Sequence, residues 1–342
     1  MNILNRLAFL KANHNLMMPI NREKMYWFFR EQFRFGHREV LLDYLGQDYS
    51  NLIFGFLQHG AHPHSNIGYW PYQELPKNLT NFHSSFVWSQ NAVFIAQSKG
   101  HRHVLAIGAP WLYLLSNRGL LTGTKKIKRP TPKSGRELLL VPAHGSGHYF
   151  ANSHYKDMVT RWRKKIGDVD ASVLLYYTEF CDPRIRQIWI NAGFNIECSG
   201  MAWGAEHRTV WTYNGGRPKF LSTTLNLLSN HEEVICLSPT TLAVYSISLG
   251  IPTSIQLDTG HSHPLGIVSE GKGVERLRKY DEDVFQHSVN LLGRNFADRD
   301  ISEEKIDRSL QYLGIESFKT RDELEDILPL IPGIIPMPLK SY

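Results

Sequence analysis

Apolar positions in this chain come in short blocks, each closed by glycine, proline or a polar loop. Residues 52–57 (L-I-F-G-F-L) form one such block. It stops at Gln58 and gives way at once to His59-Gly60-Ala61-His62-Pro63-His64. A buried strand running straight into a Gly/His loop is how an α/β protein presents polar groups at the carboxyl edge of a sheet. Further strands are predicted over 86–88 and 103–107. A helix over 92–99 lies between them, capped by Ser89-Gln90-Asn91 and closed by Gly100. Two helices precede this pattern. One covers 22–33, with Tyr26, Trp27, Phe28, Phe29 and Phe33 at core spacing, and the other covers 38–45, ended by Gly46.

The same grammar restarts after a break. Strands are predicted over 137–141, 172–177, 194–198, 233–237 and 251–257. Helices over 153–165, 183–191, 218–228 and 241–249 alternate with them; Asp182-Pro183 opens the second, and Gly250 follows the last. The final stretch reads as helices over 274–292, 303–313 and 321–328. Alternating strands and helices make parallel sheets. The expected fold is therefore α/β, with two tandem Rossmann-like domains and a helical C-terminal segment. Between the halves, T-G-T-K-K-I-K-R-P-T-P-K-S-G has no periodicity and reads as an exposed connector. The expected division is 1–122, a basic linker 123–136, 137–270, and a helical 271–342.

Composition narrows the class of protein. The chain has 342 residues, 42% hydrophobic and 20% charged, which is globular and long enough for two cores. Its net charge of +6 suits a partner carrying phosphates or carboxylates, or an anionic membrane surface. The densest basic run, Lys125-Lys126-Ile127-Lys128-Arg129, lacks the interleaved aromatics of a nucleic-acid platform, so no nucleic-acid partner is expected. Three scattered cysteines, Cys181, Cys198 and Cys236, make neither a disulfide framework nor a thiolate zinc site and point to a reducing compartment. No apolar run is long enough to span a bilayer and the N-terminus lacks a convincing signal peptide, so the expected location is cytoplasmic. The basic N-terminal helix and the basic linker are candidate peripheral contacts with a membrane.

Four loops carry candidate chemistry. In the first, His59 follows the strand end most closely and is the candidate general base. Gln58, Gly60, His62 and His64 complete the loop, and Gly60 admits close approach to the backbone. In the second, strand 137–141 leads into Pro142-Ala143-His144-Gly145-Ser146-Gly147-His148 and then a helix. Small residues there leave N–H groups free for an anion, although the P-loop and G-x-G-x-x-G patterns are absent. The third is Ser238-Pro239-Thr240-Thr241, hydroxyls at a helix N-terminus. The fourth, Asp258-Thr259-Gly260-His261-Ser262-His263, together with His62 and His64 raises a zinc alternative. H-E-x-x-H and cysteine pairs are missing, so no metal is assigned. Glu179, expected at a strand end, is a candidate for the donor's ribose or sugar hydroxyls. Trp70, Tyr72, Trp111 and Tyr113 are candidate sugar-stacking or packing aromatics.

In order and pattern, 51–257 resembles GT-B glycosyltransferases of bacterial surface polysaccharide biosynthesis, and within them the CDP-glycerol glycerophosphotransferase type. L-Q-H-G matches the His-Gly loop whose histidine is that group's candidate base. Ser89-Gln90-Asn91 with Gly108-Ala109-Pro110, and 238–241 with Gly250-Ile251-Pro252, match its two strand–helix–G-x-P units. The family's arginine and aspartate after the first G-x-P are Trp111 and Leu112 here. Its His-Pro after the second C-domain strand is replaced by Thr178-Glu179-Phe180-Cys181-Asp182-Pro183. The resemblance implies a cytoplasmic, metal-independent transferase without a cofactor. It would take a nucleotide-activated sugar or polyol donor and an oligosaccharide or lipid-linked glycan acceptor. Donor phosphates would lie near His144, Ser146, His148, Ser238, Thr240 and Thr241, with His59 deprotonating the acceptor. Two alternatives stand beside it: a metal-dependent hydrolase built on the histidine loops, and a nucleotide- or sugar-binding protein without turnover.

Overall fold

The run Leu138-Leu139-Leu140-Val141 is apolar at every position, as a strand buried on both faces requires. In the computed structural model, strand β5 (Arg136–Val141) is the middle of a five-stranded parallel sheet, and Leu139 and Leu140 are fully buried. The structure describes residues 35–58, 60, 84–98, 100–123, 126–128, 130, 136–142, 152–200, 220–237, 240–256 and 301–331. They fall into two compact units. One takes described residues up to Lys126, then 220–221, and those from Gln311 onward. The other takes those from Ile127 to Gly200 and from Ser222 to Leu310.

The second unit is a Rossmann-like sheet. Its strands are β5, β6 (Ala171–Leu174), β7 (Asn195–Glu197), β8 (His231–Cys236) and β9 (Thr253–Ile255), all parallel, in the spatial order β7-β6-β5-β8-β9. Parallel neighbours need crossovers, and the helices supply them. Helix α4 (Asn152–Ile166) joins β5 to β6, and α6 (Pro183–Asn191) precedes β7. Helix α7 (Phe220–Ser229) leads into β8, and α8 (Thr241–Ser248) joins β8 to β9. Leu138, Leu140, Met158, Trp162, Val173, Trp189 and Phe194 pack as one core on the α4 side, where the Trp189 and Phe194 rings meet edge-on at 4.9 Å. Helix α6 starts as its sequence predicts: Asp182 accepts the Arg184 N–H at 2.9 Å, and Pro183 takes the first helical position.

Two expected strands end early: the one expected over 251–257 is only Thr253–Ile255, and the other gives way to a helix. Residues 172–177 do not run on as a strand. β6 ends at Leu174, and a short helix, α5 (Tyr177–Cys181), follows. The Glu179 carboxylate accepts the Tyr176 N–H at 3.1 Å, a capping contact that starts the helix early.

The first unit holds helix α1 (His37–Leu45), strands β2 (Phe56–Leu57), β3 (Ser85–Val87) and β4 (Val104–Ala106), and helices α2 (Gln90–Ser98) and α3 (Pro110–Asn117). β2, β3 and β4 are adjacent and parallel, with α2 crossing between β3 and β4 on Val87, Ala92, Val93, Ala96 and Val104. The single strand expected over 52–57 is two. β1 (Leu52–Ile53) pairs antiparallel with β10 (Leu330–Ile331), and only β2 joins the parallel sheet. Gly55 makes the change of partner sterically feasible, because a Cβ there would collide with the Phe86 ring and sit 2.9 Å from the Ser84 carbonyl. The tail expected to be helical holds α9 (Glu303–Tyr312), a 3-10 turn at Ile315–Ser317 and α10 (Arg321–Ile327), and then closes with the strand β10.

Candidate functional site

In a doubly wound sheet, ligands bind outside the carboxyl ends of the strands where the strand order reverses. In the second unit that point lies between β5 and β8: the chain steps outward through β6 and β7 on one side and through β8 and β9 on the other. The two strands end level with each other, Val141 opposite Cys236, and the Leu237 N–H donates to the Val141 carbonyl at 2.9 Å. The chain therefore leaves this point twice. From β5 it passes through buried Pro142 toward 143–148, and from β8 it passes toward Thr240 and α8. Two of the four loops singled out in the sequence thus spring from neighbouring strand ends.

Thr240 is the N-cap of α8. Its Oγ1 accepts the Leu242 N–H at 3.0 Å. Thr241 is the first residue of the helix and is half-buried. Burial of Ala243, Val244, Tyr245 and Ile247 fixes the helix against the sheet, so its amino end is held rigidly at the strand edge. Replacing Thr240 by alanine removes the cap and is expected to cost about 1 kcal/mol of stability; an unchanged urea midpoint would show that the cap contributes nothing. His144, Ser146, His148 and Ser238 lie outside the described residues. Glu179 is described, and its position differs from the expected strand end: it sits in the first turn of α5, almost fully buried, with one oxygen on its own helix's amino end.

In the first unit the strand ends are used unequally. Gln58, at the end of β2, is buried. Its Nε2 donates to the Gly60 carbonyl at 2.9 Å, and its Oε1 accepts the Trp88 backbone N–H at 3.0 Å. The Trp88 indole N–H donates to the Gln58 carbonyl at 3.1 Å. Gly60 is buried, whereas His59, His62 and His64 lie outside the described residues. The ends of β3 and β4 are instead covered by the chain's own return. The Ala109 N–H donates to the Leu313 carbonyl at 2.8 Å, and Gly314 sits against the Trp88 carbonyl and 3.2 Å (from an ideal Cβ) from the Ser89 Cα. A Cβ on Gly108 would lie 3.2 Å from the Gly314 carbonyl. Ser89 caps α2, accepting the Ala92 N–H at 3.2 Å.

Of the two uses open to the candidate aromatics, packing is the one that Trp111 and Tyr113 take. Trp111 and Tyr113 are fully buried in the core of the first unit, where the Tyr113 hydroxyl donates to the Ile107 carbonyl and accepts the Lys319 N–H at 3.2 Å. Helix α3, opened by Pro110, turns both inward; Trp70 and Tyr72 lie outside the described residues. Sequence reasoning missed His37, which is fully buried next to the Gln58 backbone. Burial holds this imidazole at a pKa of about 3, so it is neutral at physiological pH. Among the described residues, no three His, Cys, Asp or Glu are grouped to hold a metal ion, and no helix is long and apolar enough to cross a membrane. The histidines at 59–64 and 261–263 fall outside that set.

No family model and no curated protein sequence matches this chain. Among solved structures it is similar to a Listeria monocytogenes protein assigned as a UDP-N-acetylglucosamine 2-epimerase, with a TM-score of 0.38 and 11% identity over 84% of this chain and 67% of that one. It is similar to S. aureus MnaA in a structure with UDP, with a TM-score of 0.37 and 12% identity over 78% and 64% of the two chains. A third is an S. aureus TarM variant in complex with fondaparinux, alpha-GlcNAc-glycerol and UDP, with a TM-score of 0.33 and 12% identity over 79% and 48%. The α/β class, with parallel sheets in both units, is read from the chain's own strands.

Proposed function

We propose that this chain is a nucleotide-sugar-dependent glycosyltransferase, moving a sugar or polyol-phosphate unit from an activated donor to an oligosaccharide or lipid-linked glycan acceptor. The observation that supports it most is the strand order of the second unit, which brings the exits of β5 and β8 together at the reversal point. On this reading the donor's phosphates are held by 143–148, with His144, Ser146 and His148, and by Ser238, Thr240 and Thr241. The amino ends of α4 and α8 offset the charge that develops on the leaving nucleotide, a task that a divalent metal performs in other transferases. His59 then takes the proton from the acceptor hydroxyl, while Gly60 leaves room for the acceptor beside the backbone.

Thermal unfolding in the presence of CMP, CDP, UDP or GDP, each with and without EDTA, tests this reading. One nucleotide should raise the melting temperature regardless of chelator, since a ligand at a hundred times its Kd adds about 2.7 kcal/mol to the folded state. A large response to zinc or manganese without any response to nucleotides would favour the hydrolase and sink the transferase.

A further inference from the structure

We infer that the groove between α4 and α6, in the second unit, is a docking surface for an anionic membrane. The groove has a volume of about 700 Å³, with Val159, Ile188 and Ala192 among its lining and Lys156, Arg163 and Lys164 along its α4 side. Helix α4 turns Met158, Val159 and Trp162 into the core. Its exposed residues then include Lys156, Arg161, Lys164 and Lys165 against one acid of the helix, Asp157. Most polar groups of the groove are already used by the fold. Arg163 donates to the carbonyls of Gly193 at 3.3 Å, Val169 at 2.9 Å and Gly167, which ties the end of α4 to the turn after α6. The Thr160 hydroxyl donates to the Lys156 carbonyl at 2.9 Å, and the Asn191 side chain accepts from Gln187 at 2.7 Å. Lys165, on the other flank of α4, lies over the Trp162 ring at 4.5 Å and bonds Gln256.

Lys156 and Lys164 are what remains. Both are exposed, and neither ammonium group has a hydrogen bond or ion pair among the described residues. Asp168, beyond the end of α4, is the acid of the groove. The two lysines stand on one stripe of the helix, about 12 Å apart along its axis, a spacing that suits an array of phosphates better than a single one. Lipid and nucleic acid both present such an array, and the apolar surface decides between them. Ile188 and Ala192 are only partly covered, and Ile190 on α6 is 50% exposed. A bilayer rewards that surface, and lysine stems lie along it with their charges at the headgroups. Trp162 and Trp189 are buried, so neither offers a ring on which a base could stack. None of these residues belongs to the proposed donor or acceptor sites, so failure of the nucleotide experiment leaves this surface untouched.

Co-sedimentation of the full chain with vesicles is the test. Phosphatidylcholine mixed with phosphatidylglycerol should carry the protein down, phosphatidylcholine alone should not, and added salt should reverse the binding. The double variant Lys156→Ala/Lys164→Ala should weaken binding about thirtyfold, a factor of about five for each cation near the surface. Its urea midpoint should stay at the wild-type value, because both side chains are exposed. Lys126→Ala/Lys128→Ala removes the same charge from the basic linker and should leave binding unchanged. An equal or larger loss in the linker variant, or no binding to either vesicle, overturns the assignment. So does single-stranded DNA that binds more tightly than the vesicles and is released by the same α4 substitutions, which would make the groove a nucleic-acid surface.

Discussion

Gly314→Ala is expected to lower the unfolding free energy by about 2–5 kcal/mol, the sum of left-handed strain and overpacking. Gly314 has φ +75°, where an L side chain is strained, and a Cβ built there falls onto the Trp88 carbonyl. Neither side can yield easily. The Leu313 carbonyl accepts from Ala109 at 2.8 Å, the Gly314 carbonyl accepts from Ser317 at 2.9 Å, and the Trp88 carbonyl accepts from Gly108 at 3.0 Å. Gly100→Ala separates the two effects, since Gly100 has φ +91° but nothing within 4 Å of its would-be Cβ. It should show the strain alone, about 1–2 kcal/mol. Urea unfolding of both variants is the measurement. Equal losses would mean that the return of the chain over β3 and β4 is looser than the contacts imply.

His59→Ala is expected to reduce turnover of the nucleotide-sugar by a factor of about 10²–10⁴, the usual contribution of a general base. Nucleotide affinity should stay unchanged, because on the proposed reading the donor is held by the second unit and the base acts on the acceptor. Steady-state release of nucleotide in the presence of acceptor, paired with calorimetric titration of the nucleotide alone, separates the two quantities. A parallel fall in affinity and turnover would move residue 59 to the donor side and remove its role as base.

Features governed by neighbours in sequence were legible before any coordinates. Asp182-Pro183 opens α6, Thr240 caps α8, and Gly46 and Gly100 close α1 and α2 because caps and left-handed glycines act over four residues. Parallel pairing was legible from the alternation of strands with helices. Features set by distant partners were not. The split of 52–57 depends on Leu330 and Ile331, far along the chain, and no periodicity in the block announces it. Trp111 and Tyr113 follow a strand end, where stacking and packing were both open, and α3 turns them into the core. Of the candidate site, the exits of β5 and β8 could be placed at strand ends from sequence. Their being neighbours follows from strand order, which a list of strands does not contain. His37 and the side-chain role of Gln58 belong to the same class, since a buried amide bonded to Gly60 and Trp88 leaves no pattern in one sequence.

On the proposed reading, a nucleotide sits where the exits of β5 and β8 meet. Hydrogen exchange of the full chain, with and without the nucleoside diphosphate that raises its melting temperature, tests that most directly. Added protection is expected in 141–148 and 237–243, with β2, β3 and β4 unaffected. Protection confined to the first unit, or absent from both exits at saturating nucleotide, would contradict it.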